Sequence, residues 1–149
     1  VFITRTFSKL FSMAGCRLGY VAGWPEGIRM VQKLCTPHNT NAFAMKFAEA
    51  VLSTPGMVDS LIENFKLGWE YLISWLNVHG YPHKGGAGNF IFIKPKTDAQ
   101  TIVERMKAEK KILIKTYPNV GKFGDCLRVS IGEQKYMEEF TAALEDLDK

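Results

Sequence analysis

Two hydroxyls and an amine close an apolar run at the head of the chain. Thr6, Ser8 and Lys9 follow Val1-Phe2-Ile3, and eight residues after the lysine Arg17 stands between Gly15 and Gly19. Hydroxyls donate hydrogen bonds to phosphate oxygens, and a guanidinium adds a charged fork to the same group. Together they make an anion site with an amine beside it. Glycines at 15 and 19 let the backbone around Arg17 turn tightly and approach a ligand or a neighbouring strand. Taken singly, each residue also has a plain reading. Ser-Lys after a strand is a solvated turn, and an Arg between glycines is a surface loop residue. The ordered set is what points to chemistry.

The order is Thr6-Phe7-Ser8-Lys9, a short apolar spacer, then Ala14-Gly15-Cys16-Arg17-Leu18-Gly19-Tyr20. It resembles the lysine motif of the fold-type-I aminotransferases that use pyridoxal 5′-phosphate (PLP), most closely the histidinol-phosphate aminotransferase branch. Carried over one residue at a time, the resemblance makes Lys9 the catalytic lysine that condenses with the cofactor aldehyde. It makes Thr6, Ser8 and Arg17 ligands of the cofactor phosphate. A lysine bonds an aldehyde only as the neutral amine, so desolvation or nearby cations must lower its pKa. Once a substrate amine displaces it, the freed amine is placed to move a proton between substrate Cα and cofactor.

The elements that must position these groups follow from the periodicity. The apolar run that opens the chain at Val1 and delivers the two hydroxyls and Lys9 to its end reads as a buried strand, and Tyr20–Gly23 as a second one. Pro25 suits the first turn of a helix in which Ile28, Val31 and Leu34 face inward, ending near Thr36-Pro37. Residues 37–41 read as a polar loop, and His38 in it, with no carboxylate nearby in sequence, reads as a solvated loop residue. A helix over Asn41–Ser53 turns Phe43, Phe47, Ala48, Val51 and Leu52 to one face. From Val58 to Leu76 the three-four spacing of Leu61, Ile62, Phe65, Trp69, Leu72 and Ile73 predicts a long linking helix. The domain boundary is placed at its start: 1–54 as the end of a large lobe, 55–149 as a smaller α/β lobe.

In that second lobe the glycines of 85–88 precede the strand Asn89–Ile93, the wrong order for a phosphate-binding loop. His79 and His83 bracket a turn without a third metal ligand. Asp98 caps a helix running to Lys111 with Ile102, Val103 and Met106 inward. Ile112–Ile114 is expected as a short buried strand and Tyr117–Gly121 as a loop. Leu127, Val129 and Ile131 alternate with Arg128 and Ser130, the pattern of a half-buried strand. A closing helix from Glu133 collects Tyr136, Met137, Phe140, Ala143, Leu144 and Leu147 on one face, with an acidic first turn.

By itself Arg128 reads as an exposed strand residue in a surface ion pair. In the resembled family the arginine of Leu-Arg-x-x-x-Gly grips the substrate carboxylate, a role that suits a planar, two-pronged donor. The resemblance therefore implies Arg128 as the substrate-binding residue. It implies an α/β fold, the C-terminal part of a PLP-transferase: the end of the large domain plus the small domain. It further implies a class I/II transaminase of histidine biosynthesis, moving an amino group between an amino acid or a phosphorylated amine such as histidinol phosphate and a 2-oxo acid, as a homodimer. A decarboxylase of a phosphorylated amino acid would use the same lysine, and product amine against 2-oxo acid separates the two. The family's pyridine-nitrogen aspartate, its stacking ring and its phosphate-binding helix have no matching positions here. The chain is therefore expected to be a fragment that alone binds PLP weakly and does not transaminate, or else a non-catalytic folding or interaction module.

Composition sets bounds. The 149 residues are 46% hydrophobic and 23% charged, enough for a packed core, and the net charge is +4. Scattered lysines without interleaved aromatics argue against a nucleic-acid surface. Three cysteines without Cys-x-x-Cys spacing indicate neither a disulfide framework nor a zinc site, and suggest the cytoplasm. No apolar run reaches membrane-spanning length, so no membrane partner is expected.

Overall fold

A computed structural model describes residues 1–86 and 88–149. The chain divides into two compact units, Val1–Ile62 and Glu63–Lys149.

In the first unit β1 (Phe2–Thr6) pairs antiparallel with β2 (Gly19–Gly23), in a register running from Phe2 opposite Gly23 to Thr6 opposite Gly19. Gly19 is needed there, because a Cβ would lie 2.7 Å from the Arg5 carbonyl oxygen. The strand expected to be buried is exposed at every β1 position. The sheet has only these two strands, and what packs on it among the described residues, such as Trp24 on Phe2, leaves every β1 residue exposed. α1 (Pro25–Gln32) begins with Pro at its first turn, and Trp24 packs on Phe2 at 4.5 Å between ring centroids. It ends at Gln32, ahead of the expected Thr36-Pro37 stop, so Leu34 leaves the helical register and is 88% exposed. α2 (Ala42–Ser53) is capped by the Asn41 side chain, which accepts from the backbone N–H groups of Phe43 and Ala44. Its inward stripe is Ala44 and Ala48, and Phe43, Phe47 and Leu52 turn outward, contrary to the expected face. Phe7, Met13 and Leu18 complete this small core, with Phe11 and Cys16 against it.

α3 (Met57–Val78) runs across the division between the units, and its buried residues are Gly68, Leu72 and Leu76. The second unit holds a four-stranded antiparallel sheet of β3 (His83–Gly85), β4 (Phe90–Ile93), β5 (Lys115–Tyr117) and β6 (Cys126–Ser130), ordered β3-β4-β6-β5. Alternation along β4 and β6 places Ile91, Ile93, Leu127 and Val129 on one face. There they meet Leu72 and Leu76 of α3, Ile102 of α4 (Ala99–Arg105), and Met137, Phe140 and Leu144 of α5 (Gln134–Leu147).

Four local expectations differ from the structure. Ile112–Ile114 is not a strand: Ile112 and Ile114 touch the core while Leu113 is 78% exposed, and the ladder begins only at Lys115. The chain reaches that point through a wide π-turn at Met106–Lys110, closed by Lys111 at φ +60°. His83–Gly85, where the sequence suggests a turn, is the strand β3: Lys-Gly carries no strand signal of its own, and the segment pairs with β4. On α5, Tyr136 is exposed and Thr141 takes an inward place, hydrogen-bonded to the Tyr71 hydroxyl at 3.1 Å. The first turn of α5 holds no carboxylate, and Glu133, the cap, pairs instead with Lys135 at 3.1 Å.

A buried carboxylate fastens the end of this unit. Asp148, 1% exposed, accepts from the backbone N–H of Lys96 (2.8 Å), the backbone N–H of Thr97 (2.8 Å) and the Thr97 hydroxyl (2.6 Å).

Candidate functional site

The lysine turn is built by three anchors. Phe7, Met13 and Leu18 are buried, and backbone bonds join Phe7 N–H to Leu18 O (3.0 Å) and Met13 N–H to Phe7 O (3.1 Å). Between the first two anchors the chain bulges outward. Ser12, at φ +55°, turns its N–H onto the Lys9 carbonyl at 2.8 Å, which fixes the Lys9 backbone while its side chain remains exposed.

Thr6 and Ser8 come together where β1 ends. The Thr6 hydroxyl donates to the Ser8 hydroxyl at 2.9 Å and accepts the Ser8 backbone N–H at 3.1 Å. The Ser8 hydroxyl hydrogen is left for an incoming acceptor, whereas the single Thr6 hydroxyl hydrogen is engaged by Ser8. Because Thr6 pairs with Gly19, the 16–18 segment runs beside this pair. Arg17 closes a short 3₁₀ turn (Ala14–Cys16) in the left-handed region at φ +51°, and its guanidinium donates to the Ala14 carbonyl at 3.0 Å. Among the described residues no hydrogen bond joins Arg17 to Thr6 or Ser8, so the guanidinium keeps N–H groups for another anion. Residues 1–25 contain Arg5, Lys9 and Arg17 and no Asp or Glu, so this stretch of chain is itself positive. By type, hydroxyls, a guanidinium without an ion pair among the described residues and an amine suit a phosphate ester that carries an aldehyde; the structure joins Thr6 to Ser8 and has the Arg17 guanidinium on the Ala14 carbonyl.

Arg128 sits in the other unit, on the β6 face turned away from the core. Phe92 lies directly opposite it on β4 and Lys115 on β5. Its guanidinium carbon is over the Phe90 ring, 4.1 Å from the centroid. Among the described residues it makes no ion pair, so the surface-pair reading is not what the structure holds. The cluster Phe90, Phe92 and Tyr117, with ring centroids 5.4 Å apart in succession, was not singled out from the sequence. The signal was available: if Ile91 and Ile93 face the core, Phe90 and Phe92 must face away.

The histidines resolve plainly. His79 Nδ1 meets the Trp75 carbonyl at 2.8 Å, His83 Nδ1 meets the Tyr81 carbonyl at 2.9 Å, and His38 is exposed. Among the described residues no group of three metal-binding side chains occurs, and no helix is long and apolar enough to cross a membrane.

The architecture is mixed helix and sheet, that of the C-terminal part of the PLP-transferase fold. The chain belongs to the aminotransferase class I and II family, whose sequence pattern matches residues 1–144. A histidinol-phosphate aminotransferase of Geobacter sp. (strain M21) is 31% identical over 147 residues, covering 99% of this chain and 42% of that protein. One from Moorella thermoacetica is 32% identical over 147 residues, covering 99% and 38%. The crystal structure of histidinol-phosphate aminotransferase from Sinorhizobium meliloti in complex with pyridoxal-5′-phosphate superposes with a TM-score of 0.83 at 23% identity, covering 99% of this chain and 40% of that one. The chain spans about 40% of the length of the curated relatives it matches.

Proposed function

We propose that this chain supplies the lysine, phosphate-contacting and carboxylate-contacting residues of a PLP-dependent transaminase. Its substrate is an amino acid or a phosphorylated amine such as histidinol phosphate, and its acceptor a 2-oxo acid. Residues 1–54 serve the large cofactor domain and 55–149 the small domain, in a cytoplasmic homodimer. The observation that carries the reading is the Thr6–Ser8 hydroxyl pair followed by an ordered Lys9 turn, in a chain of this family.

Bound PLP supplies an electrophilic aldehyde and an electron sink for the bond broken at the substrate Cα. Ser8 would donate its hydroxyl hydrogen to the phosphate, Thr6 would do so on turning its hydroxyl away from Ser8, and Arg17 would add charged N–H donors to the same group. Anchoring the phosphate fixes how far the aldehyde stands from the Lys9 amine, so geometry and not affinity alone selects this lysine. Lys9 would hold the aldehyde carbon through its neutral amine, with water leaving, and as the free amine would hold and return the substrate Cα proton. Arg128 takes the substrate carboxylate with two parallel N–H bonds.

Trapping tests the lysine assignment even where occupancy is weak. The chain is incubated with PLP, reduced with borohydride to fix any lysine–cofactor bond, and peptide-mapped. Label should concentrate on Lys9, fall when inorganic phosphate competes, and fall again in Arg17→Ala and in Thr6→Ala/Ser8→Ala. Label spread evenly over the surface lysines and indifferent to phosphate would refute it.

A further inference from the structure

Arg128 must meet two demands that ordinarily conflict. A long, flexible guanidinium has to be held in one orientation to grip a carboxylate with both prongs, since rotamer freedom lost on binding subtracts from affinity. The usual way to hold it is a carboxylate partner, but a resident Asp or Glu would compete for the same N–H edge that the substrate needs.

The structure meets both demands with an aromatic ring. Phe90 starts β4 opposite Ser130, two residues along β6 from Arg128 and on the same face, and the Arg128 guanidinium carbon lies over that ring at 4.1 Å. The bond from Ile131 N–H to Asn89 O, 2.9 Å, carries the strand pairing one step past Phe90 and keeps the ring in register. Phe92 meets Phe90 edge-on, at 5.4 Å and 77° between planes, and Tyr117 backs Phe92 at 5.4 Å. A guanidinium seated over a ring is attracted through its face, by the ring quadrupole, while its N–H groups lie in its own plane and stay available. The ring also leaves the positive charge unneutralised.

We propose that Phe90 is the positioning residue for Arg128, orienting the guanidinium through its face so that its N–H edge is held ready for a substrate carboxylate. This rests on the reading of Arg128 as the carboxylate contact. Phe90 itself touches no reacting atom.

The test uses the 149-residue chain and 2-oxoglutarate as probe, reading the Arg128 Nε–Hε signal by NMR. In the unsubstituted chain that signal should be displaced by the Phe90 ring current and should move on adding the probe. Phe90→Leu should abolish the displacement and weaken probe binding about three- to fivefold, the span of a partly exposed cation–π contact. Phe90→Tyr and Phe90→Trp should restore both, an aromatic rescue that mere packing loss would not give. If Arg128→Gln leaves probe binding unchanged, or the Arg128 signal ignores the probe, the carboxylate reading fails. If Arg128→Gln abolishes binding while Phe90→Leu changes neither signal nor affinity, the positioning role alone is overturned. Absence of a ring-current displacement in the unsubstituted chain overturns it too, with no need for a variant that folds.

Discussion

Removing the Asp148 carboxylate measures how much of the second unit's stability depends on one buried group near its end. In Asp148→Ala the backbone N–H groups of Lys96 and Thr97 lose their acceptor, and the Thr97 hydroxyl loses a 2.6 Å bond. A buried donor left unsatisfied costs about 1–3 kcal/mol. The hydroxyl can rotate toward water, so the two amides set the scale. Lys96 and Thr97 carry exposed side chains, so water reaches part of the rim, and the expected loss is roughly 2–3 kcal/mol in urea unfolding. Asp148→Asn keeps an acceptor oxygen but turns an amide N–H₂ toward donors, and should fall between variant and parent. Two local readouts identify the cause. Hydrogen exchange at the Lys96 and Thr97 amides should accelerate. The Tyr81 phenol is pushed far above its ordinary pKa by burial first and by the Asp148 carboxylate second, so it should titrate earlier in Asp148→Ala without reaching the value of free tyrosine. An unfolding midpoint equal to the parent's, with those amides still protected, would refute the clasp.

Two further outcomes follow from particular contacts. A Cβ added at Gly68 would overlap the Gly132 carbonyl oxygen, which is backbone and cannot rotate away; Gly68→Ala should therefore lose about 1–3 kcal/mol in urea unfolding despite alanine's better helix propensity, whereas Gly15→Ala, whose Cβ meets nothing within 4 Å, should stay within about 0.5 kcal/mol of the parent. The Lys110 hydrogen bond, ahead of the one from Lys149, holds Asp146 below the usual carboxylate pKa, and the Arg105 hydrogen bond does the same for Glu109. A pKa lowered on folding gives stability that is present above the unfolded carboxylate value and lost as pH falls through the folded one. The unfolding midpoint should hold near neutral pH and decline below about pH 4, with a shallower decline in Lys110→Ala; an identical acid profile in that variant would contradict the assignment.

What was legible in the sequence, and what was not, divides along a physical line. Arg128 on a half-buried strand followed from alternation, because Leu127 and Val129 pack on a core made within their own unit. The Asp98 cap followed from residue type, and the structure has its carboxylate accepting the Thr101 N–H at 2.8 Å. The misjudged faces lie mostly in the first unit. There the apolar positions of β1 and α2 outnumber the surface available to cover them: Phe43 and Phe47 turn outward because Ala44 and Ala48 pack more closely on Phe7, Met13 and Leu18. Periodicity says which residues share a face, but not which of two apolar faces wins.

The same distinction bears on the lysine turn and on Arg128, each within its own unit. At the lysine turn the informative signal was an ordered string of residue types, and its geometry depends on left-handed backbone at Ser12 and Arg17, non-glycine positions that no periodicity marks. Such conformations are sparsely populated by L-residues and persist only where the surroundings over-determine them. Here the buried Phe7, Met13 and Leu18 and the bonds between them do so. At Arg128 the signal was alternation, and the orienting ring came with it at no extra cost in sequence, because the residue on the next strand that must face away from the core is a phenylalanine. The lysine turn therefore depends on backbone held in place by a small core, and Arg128 on side chains held by a sheet. Loosening the Phe7–Met13–Leu18 cluster should disturb Lys9 and leave Arg128 in place.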